Sequence, residues 1–178
     1  MLAAIVTAIT MVVLPLQAQD TTAHRDTVPA VPPAPSIEQL QYMDGLKTVT
    51  RGVAQLHDGL SRVSRTQQAD SATRHHAAKR LGGLCGTARS FIVSGRPKMK
   101  PSAYSDSLRI LAKQLTLRLD TLTNALPICE RTAGRDPAVA TALTTKLKSY
   151  DDALLAFKTS QAAFYRPDSA KAQPPTPQ

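Results

Sequence analysis

The feature of the sequence that most constrains the fold is a regular spacing of apolar side chains between residues 46 and 63. Their separation alternates between three and four residues, which places them on one face of an α-helix. These residues are Leu46, Val49, Val53, Leu56, Leu60 and Val63. Ser36 and Gln39 have the form of a capping box, which predicts that the helix begins after Ser36. The stripe extends back to this cap through Ile37, Leu40 and Met43.

Three further stretches have apolar side chains at helical spacing. The second stripe consists of Leu81, Leu84, Cys85, Ala88, Phe91 and Ile92, the third of Tyr104, Leu108, Leu111, Leu115, Leu119, Leu122 and Leu126, and the fourth of Val139, Leu143, Leu147, Tyr150, Leu154, Phe157 and Phe164. A proline follows the second, third and fourth stripes, and we predict that the third helix ends at Pro127. Asp136 followed by Pro137 predicts the start of the fourth helix.

Residues 67–80 leave one boundary open. The apolar signal fades there, but neither Pro nor Gly interrupts the run. Residues 36–94 therefore form either one long helix or two. Asp70 and Ser71 are both good caps, which favours two helices.

Composition supports an all-α fold. The chain has no Trp, three Phe and four Tyr, and its apolar residues are mostly Ala, Leu and Val. Ala and Leu favour helices, whereas strands prefer β-branched and aromatic side chains. We predict a small antiparallel bundle of three to four long helices.

The two ends of the chain differ from its middle. Residues 1–19 carry no charged side chain, and they read as a signal peptide or an uncleaved membrane anchor. Either reading predicts a periplasmic or extracytoplasmic protein, attached to the inner membrane if the segment is retained. Residues 20–35 form a Pro-rich tether and residues 167–178 a Pro-rich tail, both expected to be extended. The bundle itself is predicted to span residues 36–166.

The chain contains two cysteines, Cys85 and Cys129. In an exported chain a disulfide is the expected state for such a pair. The redox-active alternative requires a close pair such as Cys-x-x-Cys, which the sequence lacks. Near Cys85, three glycines at positions 82, 83 and 86 indicate either close approach of another backbone or a local break in the helix. Close packing around the disulfide is the preferred interpretation.

The sequence motifs do not indicate a metal site or a catalytic site. His75 and His76 are adjacent, so on a helix they point about 100° apart and cannot share one ion. His57 and His24 have no partner at ligand spacing. The sequence contains no nucleophile elbow, phosphate-binding loop or haem attachment motif. We therefore predict a protein that is not an enzyme and has no cofactor, metal or small-molecule substrate.

The charge distribution is the strongest functional signal. Residues 62–100 contain nine basic residues and one acidic residue, Asp70, and so account for most of the formal net charge of +9. The basic residues are Arg62, Arg65, Arg74, Lys79, Arg80, Arg89, Arg96, Lys98 and Lys100. We predict that they form an interaction face for an acidic protein surface, an anionic membrane surface or both. Export and the lack of interleaved aromatic residues argue against nucleic acid.

The chain combines an uncharged N-terminal segment, a Pro-rich linker and a small basic bundle. In this combination it resembles the small extrinsic subunits that brace bacterial photosynthetic reaction-centre and light-harvesting complexes from the periplasmic side. The resemblance implies a structural subunit that docks its basic helical face onto a membrane-bound complex and stabilises it. The alternative is a soluble periplasmic binding protein or stress chaperone with a cradle between long helices. Envelope stress chaperones carry Leu-Thr-x-x-Gln repeats, and the nearest stretch here, residues 115–118, lacks the Gln.

Overall fold

The computed structural model describes residues 34–165 and contains four long helices. Helix α1 spans Ile37–Arg65, α2 spans Ser71–Gly95, α3 spans Asp106–Thr132 and α4 spans Ala138–Tyr165, with two short 3-10 turns between α2 and α3. All regular structure in this part of the chain is helical. The predicted signal peptide or anchor, most of the tether and the tail lie outside the described residues.

The helices form an antiparallel bundle in which each packs against the next. α1 and α2 approach most extensively, α3 packs on α4, and α2 packs on α3. The seam between α1 and α4 has far less backbone contact. It is spanned by side chains such as His57 with Asp151 and Gln39 with Tyr165. The predicted all-α bundle is confirmed.

The capping residues place the helix starts as the sequence indicates. The Ser36 hydroxyl accepts a hydrogen bond from the Gln39 amide at 3.3 Å, and the Gln39 side chain accepts one from the Ser36 amide at 3.0 Å. The Asp70 carboxylate accepts a hydrogen bond from the Thr73 amide at 2.9 Å and caps α2. Residues 36–94 therefore form two helices, as the caps favoured.

The predicted end of the third helix at Pro127 is wrong. α3 continues through Pro127 for five more residues, to Thr132. Proline removes one backbone donor and disfavours a helix interior by about 3 kcal/mol. Leu126 and Cys129 on either side of it are completely buried, so packing and the disulfide hold this turn against that penalty.

The disulfide between Cys85 and Cys129 is present and joins α2 to α3, with the two Cα atoms 6.1 Å apart. Around it the backbones approach closely. A Cβ on Gly82 would lie 3.1 Å from the Glu130 carbonyl oxygen, and one on Gly86 would lie 2.9 Å from the Glu130 carboxylate. α2 is continuous through all three glycines. Gly82 therefore allows the two backbones to pack closely, whereas Gly86 meets only the flexible end of the Glu130 side chain. A Cβ on Gly83 would meet only open space.

Three glycines on α1 create a second, closer seam that faces α2. Gly45, Gly52 and Gly59 are seven residues apart and buried. They face α2 at Gly95, Ala88 and Leu81, which are also seven residues apart. Helices that pack with small residues at this interval can bring their backbones nearly into contact. This seam fixes α1 and α2 as a rigid pair.

The core contains an aromatic cluster near the start of α1. The rings of Tyr42, Tyr104 and Phe157 lie 5.1–5.4 Å apart, centroid to centroid. Tyr42 and Tyr150 are completely buried, and neither hydroxyl has a hydrogen-bond partner within the described residues. Burial raises the pKa of Tyr150, and the neighbouring Thr50 hydroxyl offsets part of that rise. The Thr50 hydroxyl, however, donates to the Leu46 carbonyl oxygen at 2.8 Å.

Candidate interaction surfaces

The bundle has two ends that differ in chemistry. We call the end at which α1 begins and α4 ends the proximal end; the Tyr165 hydroxyl donates there to the Gln39 side chain at 2.9 Å. The distal end holds the connection between α1 and α2 at residues 66–70. Because α1 is 29 residues long, the two ends are roughly 43 Å apart.

Eight of the nine basic residues of the predicted interaction face lie towards one or the other of these ends. The distal group consists of Arg62, Arg65, Arg74, Lys79 and Arg80, the proximal group of Arg96, Lys98 and Lys100, and Arg89 lies between them on α2. Each group is therefore a separate candidate surface.

Two of the three proximal cations are bound to carboxylates. Arg96 donates two hydrogen bonds to Asp120 on α3, at 2.7 and 2.8 Å, and this bond raises the pKa of the guanidinium. Lys98 donates to Asp44 on α1 at 2.6 Å, and the bond lowers the pKa of that carboxyl group. Lys100 has no carboxylate within 4 Å in residues 34–165. Only Lys100 therefore offers an uncompensated charge.

The distal group keeps more of its charge. Arg62 binds Asp58 one turn earlier at 2.9 Å, and the hydrogen bond lowers the Asp58 pKa, as do Arg80 and Arg65 through their charges. Asp70 is engaged with Thr73, whose amide and hydroxyl both donate to it. Four distal cations thus have no carboxylate within 4 Å among the described residues. They are Arg65, Arg74, Lys79 and Arg80.

The proximal end also exposes large apolar side chains. Ile37 is 73% exposed, Leu40 56% and Phe164 55%, although the spacing predicted all three as members of buried stripes. Ile37 and Leu40 lie on the first turn of α1, and Phe164 lies on the last turn of α4. A shallow groove of about 620 Å³ runs from Ile37 and Leu40 to Pro97, Lys98 and Lys100.

A second groove follows the open seam between α1 and α4. Its proximal half has a volume of about 630 Å³ and an apolar floor at Met43 and Leu46. Its polar lining consists of the cations Lys47, Arg51 and Lys158 together with Thr50 and the carboxylate of Asp44. Towards the distal end the seam is bridged by His57 and Asp151 at 3.2 Å. Sequence reasoning named none of the three cations as site residues, because they lie outside the basic window and on two different helices.

Residues 34–165 contain neither a metal-binding cluster nor a membrane-spanning helix. No group of three or more His, Cys, Asp or Glu side chains in this range could hold a metal ion. His75 and His76 lie exposed on the first turns of α2. None of the helices described between residues 37 and 165 has both the length and the apolar character needed to cross a bilayer.

None of the protein-family models, curated proteins or solved structures compared with the chain matches it. The resemblance to photosynthetic accessory subunits therefore stays a prediction. The two ends of the bundle and the α1–α4 seam are the candidate functional surfaces of the described residues.

Proposed function

We propose that this protein is a non-catalytic, exported subunit that docks onto a larger, membrane-bound assembly through its basic residues and stabilises it. The observation that carries the proposal is the group of distal cations without carboxylate partners. The resemblance to extrinsic photosynthetic subunits makes a reaction-centre or antenna complex the first assembly to test.

The distal group suits an acidic protein surface. Its charges are exposed on a rigid pair of helices, so they attract a partner without reordering the backbone. Such charges mainly raise the association rate, and salt screens them over a Debye length of about 8 Å at physiological ionic strength. Binding through this end should therefore weaken steeply as salt increases.

The test is co-purification of the assembly from native membranes at graded salt concentrations. The variant is the triple reversal Arg74→Glu, Lys79→Glu and Arg80→Glu. It should reduce occupancy several-fold, with the largest loss relative to wild type at low salt. The matched control reverses Arg109, Lys113 and Arg118, three exposed cations on α3, and should change occupancy little.

Equal co-purification of the distal variant and wild type at every salt concentration contradicts docking through this end. Equal losses in the distal and α3 variants would show that net charge, not this surface, governs association. Either result overturns the proposal for the distal group.

A second candidate function is the binding protein, and the α1–α4 groove favours it. An apolar floor beside three cations suits an amphiphile with a carboxylate or phosphate head. Calorimetric titration with a medium-chain fatty acid tests this function. Binding that is lost in the variant Arg51→Glu with Lys158→Glu supports it, and absence of binding to wild type removes it.

A further inference from the structure

The proximal end combines three exposed apolar side chains that the fold itself does not use. Ile37 and Leu40 are three residues apart on the first turns of α1 and hence lie on neighbouring positions of one face. Phe164 comes from the last turn of α4, where its ring packs edge-on against Tyr165 at 5.2 Å. The hydrogen bond from Tyr165 to Gln39 holds the two helix ends together.

The loop that carries the proximal lysines is firmly held. Met99, between Lys98 and Lys100, is completely buried, and Gly45 leaves room for its side chain beneath the loop. Both lysines are exposed on either side of this anchor. Two acidic residues of α1 lie at this end, and a lysine compensates the charge of one of them. Asp44 binds Lys98, and Glu38 accepts a hydrogen bond from the Ser36 hydroxyl.

The segments that precede α1 in the sequence join the bundle at the proximal end. The chain enters α1 here, directly after the Pro-rich stretch of residues 20–35 and the uncharged residues 1–19 that the sequence predicts as a signal or membrane segment. α4 also ends here. Apolar side chains beside lysines are the composition that binds at the boundary between headgroups and acyl chains of anionic bilayers.

We propose that the proximal end rests on an anionic lipid surface, with Ile37, Leu40 and Phe164 at the headgroup boundary. Lys100, which has no carboxylate within 4 Å among the described residues, then lies beside lipid phosphates. A lipid surface is favoured over a protein partner because the chain enters α1 at this end, directly after the stretch that the sequence predicts as a signal or membrane segment. This inference deepens the proposed function, on which its membrane setting rests, by naming a lipid contact at the end opposite the distal cations.

The absence of Trp from the sequence allows a direct test. Single tryptophans introduced as Leu40→Trp and Phe164→Trp in the full chain report on the proximal end. Leu117→Trp is the matched control, because Leu117 is 62% exposed on the outer face of α3. Each protein is added to vesicles of phosphatidylcholine alone or of an equimolar mixture with phosphatidylglycerol, with and without bromine on the upper acyl chain.

We expect blue-shifted emission and strong bromine quenching for Leu40→Trp and Phe164→Trp in the anionic vesicles, and little of either for Leu117→Trp. Adding Lys100→Glu to Leu40→Trp should weaken the quenching several-fold, whereas adding Lys113→Glu should not. Because the readout is the depth of one side chain, it does not depend on whether residues 1–19 also bind the vesicle.

The inference is overturned if the proximal tryptophans are quenched no more than the α3 control. It is also overturned if they become shielded only in native membranes and never in vesicles, which would indicate a protein partner at this end. The vesicles contain no other protein, so this result is separate from the co-purification test. If the proximal tryptophans are quenched but the distal variant co-purifies as well as wild type, the lipid contact is supported and docking through the distal group is contradicted.

Discussion

Gly45 on α1 and Gly95 on α2 face each other with no room for a side chain. A Cβ on Gly45 would lie 2.7 Å from the Gly95 carbonyl oxygen, and one on Gly95 would lie 2.6 Å from the Gly45 carbonyl oxygen. Both obstacles are backbone atoms, so only movement of a whole helix relieves them. This contact marks one end of the closest seam in the bundle.

Alanine at either position should therefore destabilise the fold. We expect Gly45→Ala or Gly95→Ala to lower the free energy of unfolding by about 1–3 kcal/mol, the usual range for overpacking. Urea unfolding followed by circular dichroism measures the change. Gly83→Ala is the control, because its Cβ meets open space and alanine gains about 1 kcal/mol in helix propensity. A stabilising effect at all three positions would contradict the packing of this seam.

The same glycines show what the sequence could and could not predict. The apolar stripes predicted four helices, and the caps at Ser36 and Asp70 placed two of their starts. The interval of seven between Gly45, Gly52 and Gly59 is also visible in the sequence, but it identifies a close contact only once the facing helix is known. The predicted helix end at Pro127 was wrong because burial of the residues on both sides outweighs the tendency of proline to end a helix.

The buried hydroxyls of Tyr42 and Tyr150 lead to a second prediction. A buried polar group without a partner typically costs about 1–3 kcal/mol. Tyr42→Phe and Tyr150→Phe keep the ring and remove this cost, so each should raise the free energy of unfolding, by up to about that amount. Tyr104→Phe is the control, because its hydroxyl accepts a hydrogen bond from Gln161 at 3.3 Å and should not stabilise on removal. Destabilisation by both core substitutions would show that the hydroxyls do have partners.

Stability should also fall in alkaline solution because of these tyrosines. Burial raises the pKa of Tyr42 and Tyr150 above the ordinary value of 10.0, and that of Tyr104 to about 12. Because the pKa of these tyrosines is raised in the folded state, the unfolded chain releases its tyrosine protons first as the pH rises. The stability that the protonated tyrosines contribute is therefore complete below pH 10 and is lost between about pH 10 and 12. Thermal melting across this range should show the decline, and the double variant Tyr42→Phe with Tyr150→Phe should show less of it. An equal decline in both proteins would assign the alkaline effect to other groups.

The disulfide between Cys85 and Cys129 should also contribute measurably to the free energy of unfolding. Cys85 and Cys129 are 44 residues apart in sequence. Closing a loop of that length lowers the conformational entropy of the unfolded chain and so stabilises the folded state by about 4 kcal/mol. The double variant Cys85→Ala with Cys129→Ala should lose stability of about that size while keeping its helical circular dichroism. Non-reducing mass spectrometry of exported wild type should show a mass two hydrogens below the reduced form. Two free thiols in that protein would contradict both the disulfide and the predicted compartment.

The candidate surfaces were less predictable than the fold, for a physical reason. Counting charges between residues 62 and 100 leaves out carboxylates that other helices bring to the same place. Asp44 comes from α1, and Asp120 comes from α3. No spacing rule connects residues so distant in sequence, so the compensated and uncompensated cations could not be separated before the helices were placed.

The final prediction separates these two kinds of cation at the proximal end. Arg96→Glu would place a carboxylate beside Asp120 in place of a two-bond ion pair. Lys100→Glu would change a side chain that has no carboxylate within 4 Å among residues 34–165. The Arg96 and Asp120 side chains are 36% and 45% exposed, so solvent limits the effect to roughly 1 kcal/mol. We expect Arg96→Glu to lower the melting temperature at low salt and less so at high salt, and Lys100→Glu to leave it nearly unchanged. The exchange Arg96→Glu with Asp120→Arg should recover most of the loss. If it recovers nothing, the Arg96 stem and not its charge supports this loop, and Arg96→Met should then melt close to wild type.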